Sequence, residues 1–184
     1  LINSSVSHNA GGGIRNQGGL TLLNTIVTGN TAVSSGGGIG NSGVLSVVDS
    51  TVDRNVTSAS GGGISNSGVL TVASSTVSRN FALTSGGGID NRGELSLIGS
   101  IIVDNVASST DGGGIYNSDG QAMIEASTIG GNTAHSGGGI ASSGTLTLAN
   151  STVAGNNGFE VGGGIVNRGA MTIIDSTVSG NGQS

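Results

Sequence analysis

Ten acidic residues, five arginines and two histidines are nearly all that this chain of 184 residues could bring to acid–base, metal or nucleophilic chemistry. Cleaving a sugar chain needs paired carboxylates, or a base beside a bound cation. The nearest approach to such a cluster is Arg54, Arg79 and Asp104, which recur 25 residues apart with Asp53 beside Arg54. Exposed pairs of this kind are common and weakly stabilising, so a solvated ion-pair column is the expected reading. Asp49 and Asp175 occupy equivalent places in widely separated repeats, and His8 and His135 occupy different places, so no metal site or nucleophilic triad is indicated. The glycine triplets are not phosphate loops, because no Gly-Lys-Ser and no strand-to-helix context follows them. A Gly-Gly-x-Gly-x-Asp repeat that would bind calcium is not present either. The residues therefore predict no catalytic group, no cofactor and no metal.

The elements that would position any site are set by a repeat. Gly-Gly-Gly-Ile begins at Gly11, Gly36, Gly61, Gly86, Gly112, Gly137 and Gly162, with spacings of 25, 25, 25, 26, 25 and 25 residues. A period in the twenties indicates a solenoid, in which each coil buries its apolar face by stacking on its neighbours. Apolar residues alternate with polar ones in Leu70-Thr71-Val72 and Ser75-Thr76-Val77, which is strand periodicity. Three strands per coil are predicted, over "GGGISN", "VLTVA" and "SSTVS", in a single all-β solenoid domain spanning 1–184. Gly18, Gly43, Gly68, Gly93, Gly144 and Gly169 are expected at the first bend, as residues free to take positive φ.

Composition agrees. The chain has 38 Gly, no Pro, no Cys, no Trp and three aromatic residues, too few large side chains for one central core. With 34% apolar and only 8% charged residues it is also unlike a disordered chain. A net charge of −5 and the absence of Lys disfavour nucleic acid and anionic membranes as partners. Apolar runs are too short to insert directly into a bilayer.

Stacked coils place like residues above like, about 4.8 Å apart. Four inner columns are expected, headed by Ile14, Leu20, Leu22 and Val6, and they form the core. Asn9, Asn30, Asn55, Asn80, Asn105, Asn132, Asn156 and Asn181 form one polar column; Asn16, Asn41, Asn66, Asn91, Asn117 and Asn167 form another, broken by Ser142. A carboxamide both donates and accepts, so each column is read as a structural ladder along the axis. Two outward rows, through Thr51 and Thr76 and through Thr71 and Thr147, resemble the flat threonine face of an ice-binding solenoid, but Ile26, Ile101 and Met123 interrupt them. The extra residue near Asp119 predicts a bulge at one bend, with the inner columns still in register.

The pairing of "GGGI" with a following "VSRN" or "VTGN" resembles the polymorphic outer membrane protein repeats, with their Gly-Gly-Ala-Ile-type and Phe-x-x-Asn signatures. The resemblance covers the whole chain and implies a right-handed parallel β-helix of bacterial cell surfaces, outer membrane-associated or extracellular. It brings no catalytic residue. Val or Ile stands where that family has Phe, and Gly where it often has Ala. The resulting expectation is a noncatalytic, adhesin-type or structural segment of a longer protein, or a subunit of a surface assembly. Its expected partners are further coils or other chains at its open ends, and surface glycans. A polysaccharide-binding or polysaccharide-cleaving β-helix domain is the alternative, with ice binding beside it.

Overall fold

In the computed structural model, which describes residues 1–182, the chain winds into a parallel β-solenoid of about seven coils, with no helix among the described residues. One coil shows the path. Ile64–Asn66 runs in a glycine-flanked sheet, and the chain turns to Val69–Ala73 in a longer one. Ser74 bends the chain at φ 48°, Thr76–Ser78 follows in a third sheet, and Arg79 bends it again at φ 52°. Phe81–Ala82 then forms a two-residue strand before the next glycine triplet.

That last strand belongs to a fourth sheet, of six strands, which the three-strand reading does not contain. The reason is physical. In the two-residue strands only one side chain per coil points inward, and Ala32, Thr57, Ala82 and Ala107 are all small and buried, so there is no alternation to detect there.

Strand register puts Ile64 between Ile39 and Ile89, Leu70 between Leu45 and Leu95, and Val77 between Val52 and Ile102. All four expected inner columns form the core, and their central members are shielded from solvent. Each fully buried aliphatic side chain contributes on the order of 1.5–3 kcal/mol. The extra residue in the Ser118–Gly120 bend leaves Ile89 paired with Ile115 and Leu95 with Ala122. A register shift falls elsewhere, between Ala134 and Ser136 in the short sheet.

Glycine does two jobs, and one differs from expectation. Positive φ belongs to the first glycine of each triplet, such as Gly61 at 72° and Gly86 at 63°, and not to the bend glycines. Gly43, Gly68 and Gly93 instead stand where a Cβ would overlap the carbonyl oxygen of the equivalent glycine one coil away. Backbones pass too closely there for any side chain. The third glycine of a triplet meets the asparagine ladder: a Cβ on Gly38 would lie 2.9 Å from the Asn55 carboxamide.

The ladders are continuous. From Asn30 to Asn156, each backbone N–H and each Nδ2 donates to the Oδ1 of the asparagine one coil on, at 2.9–3.0 Å. The remaining proton reaches back: Asn80 Nδ2 donates to Val52 O at 3.0 Å. One carboxamide thus ties three coils together. In the second ladder, Asn16, Asn41, Asn66 and Asn91 each donate to the next Oδ1 at 2.7–2.8 Å, and Asn117 donates to the Ser142 hydroxyl at 3.1 Å. Asn167 Nδ2 donates to Gly169 O. A third ladder was not expected: the amides of Thr25, Ser50, Ser75, Ser100, Ser127 and Ser151 each donate to the hydroxyl one coil on, at 3.0–3.1 Å.

Two substitutions test this frame. Val77→Asp places an unpaired carboxylate in the core and should cost about 3 kcal/mol or more, whereas outward Thr76→Asp should cost under about 1 kcal/mol; similar urea midpoints would refute the assignment of faces. Asn80→Leu strands the Asn55 amide and carboxamide protons and should cost roughly 1–3 kcal/mol, and an unchanged midpoint would mean that the ladder carries no stability.

Candidate functional site

Two outer faces are flat. Thr51, Thr76 and Thr152 stand on the third sheet, with exposed Ile26 before Thr51 and exposed Ile101 after Thr76. On the long sheet, Thr71, Ser96, Met123 and Thr147 border a shallow depression of about 260 Å³ beside Glu94 and Gln121.

The glycine sheet is different because its outer face is sunken. Over the first three coils the residues before the triplet stand on one side and the bend after the ladder asparagine on the other. Between them, Ser34 and Ser35 face Ser42 and Ser67 over a floor of Gly40 and Ser65, with Arg15 at one end, in a cleft of about 510 Å³. Small residues on the floor leave the room.

Strand pairing places the floor residues in a column, Arg15, Gly40, Ser65, Asp90, Tyr116, Ala141 and Val166, of which the first three line the cleft. Asp90 breaks the pattern. It is 0% exposed although its position faces outward. Arg92, whose side chain is about half exposed, brings Nη1 to 2.8 Å from Asp90 Oδ2. That contact is a charge pair without hydrogen-bond geometry, and neither carboxylate oxygen accepts a hydrogen bond. Ser118 Oγ, one coil beyond Arg92, is likewise buried without a partner. Burial pushes the Asp90 carboxyl up from an ordinary 3.8 to about 6, and Arg92 opposes this only in part. Farther along, Asp111 and Arg168 stand at the places that Ser35 and Ser42 hold lower down, and Arg168 Nη1 donates to Asp111 Oδ2 at 2.7 Å. Their ion pair bridges the two walls.

The charged column read from the sequence lies on another side and has a structural task. Asp53 is buried, not solvated; it accepts from Arg54 Nη1 at 2.9 Å, Ser78 Oγ at 2.9 Å and Arg79 Nε at 2.8 Å. Its acceptors are occupied. Arg54, Arg79 and Asp104 occupy one left-handed bend, and Asp49 and Asp175 another, at φ values of 45–57°. Asp is tolerated there better than most side chains. His135 pairs with Glu160 at 3.1 Å, both well exposed, while His8 packs at Gly29. Among the described residues no group of three acidic, His or Cys side chains could hold a metal.

Sequence reasoning therefore passed over Asp90, Arg92 and Tyr116. The signal was available: reading the "x" of Ile-x-Asn down the repeats shows one acid and one aromatic in adjacent coils. Comparison of the chain with protein families, with curated proteins and with solved structures returns no match.

Asp90 makes the fold pH-dependent in a definite direction. Its folded pKa is raised, so full stability is present below about 3.8 and is lost as pH rises through about 6. The loss should amount to about 2–3 kcal/mol. Urea unfolding at pH 4, 5, 6 and 7 should show this decline in the parent chain and not in Asp90→Asn; parallel curves would sink the assignment.

Proposed function

We propose that the chain is a noncatalytic structural segment of an extracellular or cell-surface assembly, a stiff solenoid of adhesin type that presents its outer faces to partners. One observation carries the noncatalytic part. Glycoside cleavage by the common routes uses two carboxylates set on either side of one bond, but no acidic residue lines the cleft, and farther along the glycine sheet Asp90 is fully buried and Asp111 is committed to Arg168. The polar side chains that recur in every coil are meanwhile engaged in holding the next coil. Asparagine and serine ladders make a rod that transmits load along its axis.

Surface location rests on the resemblance of "GGGI" and "VSRN" to polymorphic outer membrane protein repeats, and a net charge of −5 is compatible with it. Further coils or neighbouring chains are the structural partners of such a segment.

The reading is tested in two ways. Incubation with neutral and acidic polysaccharides should release no new reducing ends and no unsaturated sugars above a blank; steady product formation would make the chain an enzyme. Protease treatment of intact source cells should remove the chain, and protection until lysis would overturn the surface location.

A further inference from the structure

We propose that the cleft over the first three coils of the glycine sheet binds an acidic sugar, with the Arg15 guanidinium anchoring its carboxylate and the hydroxyls of Ser34, Ser35 and Ser65 meeting the rest of the ligand. This names a ligand for the surface-segment reading and rests on it for treating the cleft as a place of binding and not of cleavage.

The first argument is charge. The chain has five arginines and no lysine. Arg54 and Arg79 pair with Asp53, Arg92 with Asp90 and Arg168 with Asp111, at 2.7–2.9 Å. Arg15 is exposed and makes no ion pair among the described residues, and no acid lines the cleft that it borders. Its neighbours in the floor column, Gly40 and Ser65, are small and uncharged. Asp90, the acid of that column, already faces Arg92 and stands three coils from Arg15, about 14 Å along the axis. That exceeds the screening length of about 8 Å at physiological salt. A local place for one negative charge thus persists on a chain whose net charge is −5.

The second argument is that the repeat leaves hydroxyls free here. Farther along, the hydroxyl just before the triplet is tied to the next coil: Ser60 shares a hydrogen bond with Thr84 at 2.8 Å, and Ser85 with Thr110 at 2.6 Å. The same link from Ser35 would reach position 59, which is Ala59, so the Ser35 hydroxyl has no such partner. The hydroxyls of Ser34 and Ser65 are equally uncommitted among the described residues, and those of Ser42 and Ser67 are held only by long contacts of 3.3 Å to Asn16 O and Asn41 O. All five serines line the cleft.

The third argument selects the ligand. Backbone amides that could cradle a phosphate are spent on stacking, since Gly36, Gly37 and Gly38 donate to Ser60 O, Gly61 O and Gly62 O. A doubly charged phosphate would find one guanidinium and no further cation. A carboxylate carries a single charge in a plane and takes two parallel N–H bonds from the guanidinium fork. Serine hydroxyls both donate and accept, as sugar hydroxyls do. Ile14 is the only aliphatic side chain in the lining, which leaves no pocket for the apolar side chains of a peptide. A cleft of about 510 Å³ is within the range of ligand sites.

Because the Arg15 side chain has no partner in the described chain, Arg15→Gln should keep the parent urea midpoint, and lost binding then reports on the cleft alone. The 184-residue chain is titrated by calorimetry with tetramers of galacturonate, mannuronate and guluronate, with the methyl ester of each as its neutral counterpart, and with a sulfated galactose tetramer and tetraglutamate. Saturable binding of at least one uronate tetramer is expected, weakened about tenfold or more by esterification and by Arg15→Gln, and unchanged in Arg54→Gln on another side of the coil. Binding of no uronate tetramer, equal affinity for its methyl ester, tighter binding of the sulfated sugar or of tetraglutamate, or equal affinity of Arg15→Gln would overturn the proposal and leave the surface-segment reading in place. Chromatography of the bound sugar separates the two readings: intact tetramer supports both, whereas shortened or unsaturated products refute the noncatalytic reading and leave the binding site standing.

Discussion

Hydrogen bonding from coil to coil is the constraint on which the rest depends. Each strand amide and carbonyl pairs with the coil before or after it, which fixes an axial spacing of about 4.8 Å and puts every residue directly over its equivalent. A position in the repeat is therefore a column and not a site. Whatever side chain stands there must tolerate copies of itself on both sides. Isoleucine, valine and leucine do so by packing; a buried row of like charges does not. Where backbones converge, as at Gly43, Gly68 and Gly93, no side chain fits at all.

The same geometry accounts for the polar interior. A bend leaves amides and carbonyls without strand partners, and a buried bend must satisfy them from side chains. Asparagine suits this because its oxygen can take two protons from one neighbouring coil while its nitrogen serves both neighbours. Serine does the simpler job at the Ser50–Ser75–Ser100 column, where its oxygen accepts the next amide and its proton goes to a carbonyl of its own bend, as from Ser75 to Ala73 O at 2.7 Å. Aspartate, when ionised, cannot donate. Asp49, Asp104 and Asp175 stand at left-handed bends, and Asp53 is held by Arg54 beside it and Arg79 from the next coil.

A structure so regular makes its exceptions informative. One acid and one aromatic occur on the glycine sheet, Asp90 and Tyr116, in consecutive coils, at a position that elsewhere holds Arg15 or small or apolar residues. Glycine and serine keep the floor of that face low over the first three coils, where the cleft lies, and Asp90 and Tyr116 follow in the next two. Column logic requires no acid at position 90. Its presence there, without a hydrogen bond, is the feature that the architecture does not explain by itself.

Much of the fold was legible in the sequence. The triplet spacing gave the coil count, alternation in Val69–Ala73 and Thr76–Ser78 gave two inner columns each their side, and Asn30 to Asn181 announced a ladder, because in a solenoid the period directly converts sequence separation into vertical contact. Two other features left traces too weak to read. The two-residue fourth strand has one inward residue per coil and no alternation, and the serine ladder is spelled with a residue type common on exposed strands. What only the tertiary structure decided was the direction and depth of each bend. The sequence could not say that Gly68 is a point of close approach and not a positive-φ turn, that Asp53 is clamped beneath two arginines, or that Asp90 is fully buried against Arg92. Those facts depend on how far apart non-equivalent parts of neighbouring coils come to lie. A repeat fixes spacing along the axis, and the cross-section of the coil is set only by three-dimensional packing.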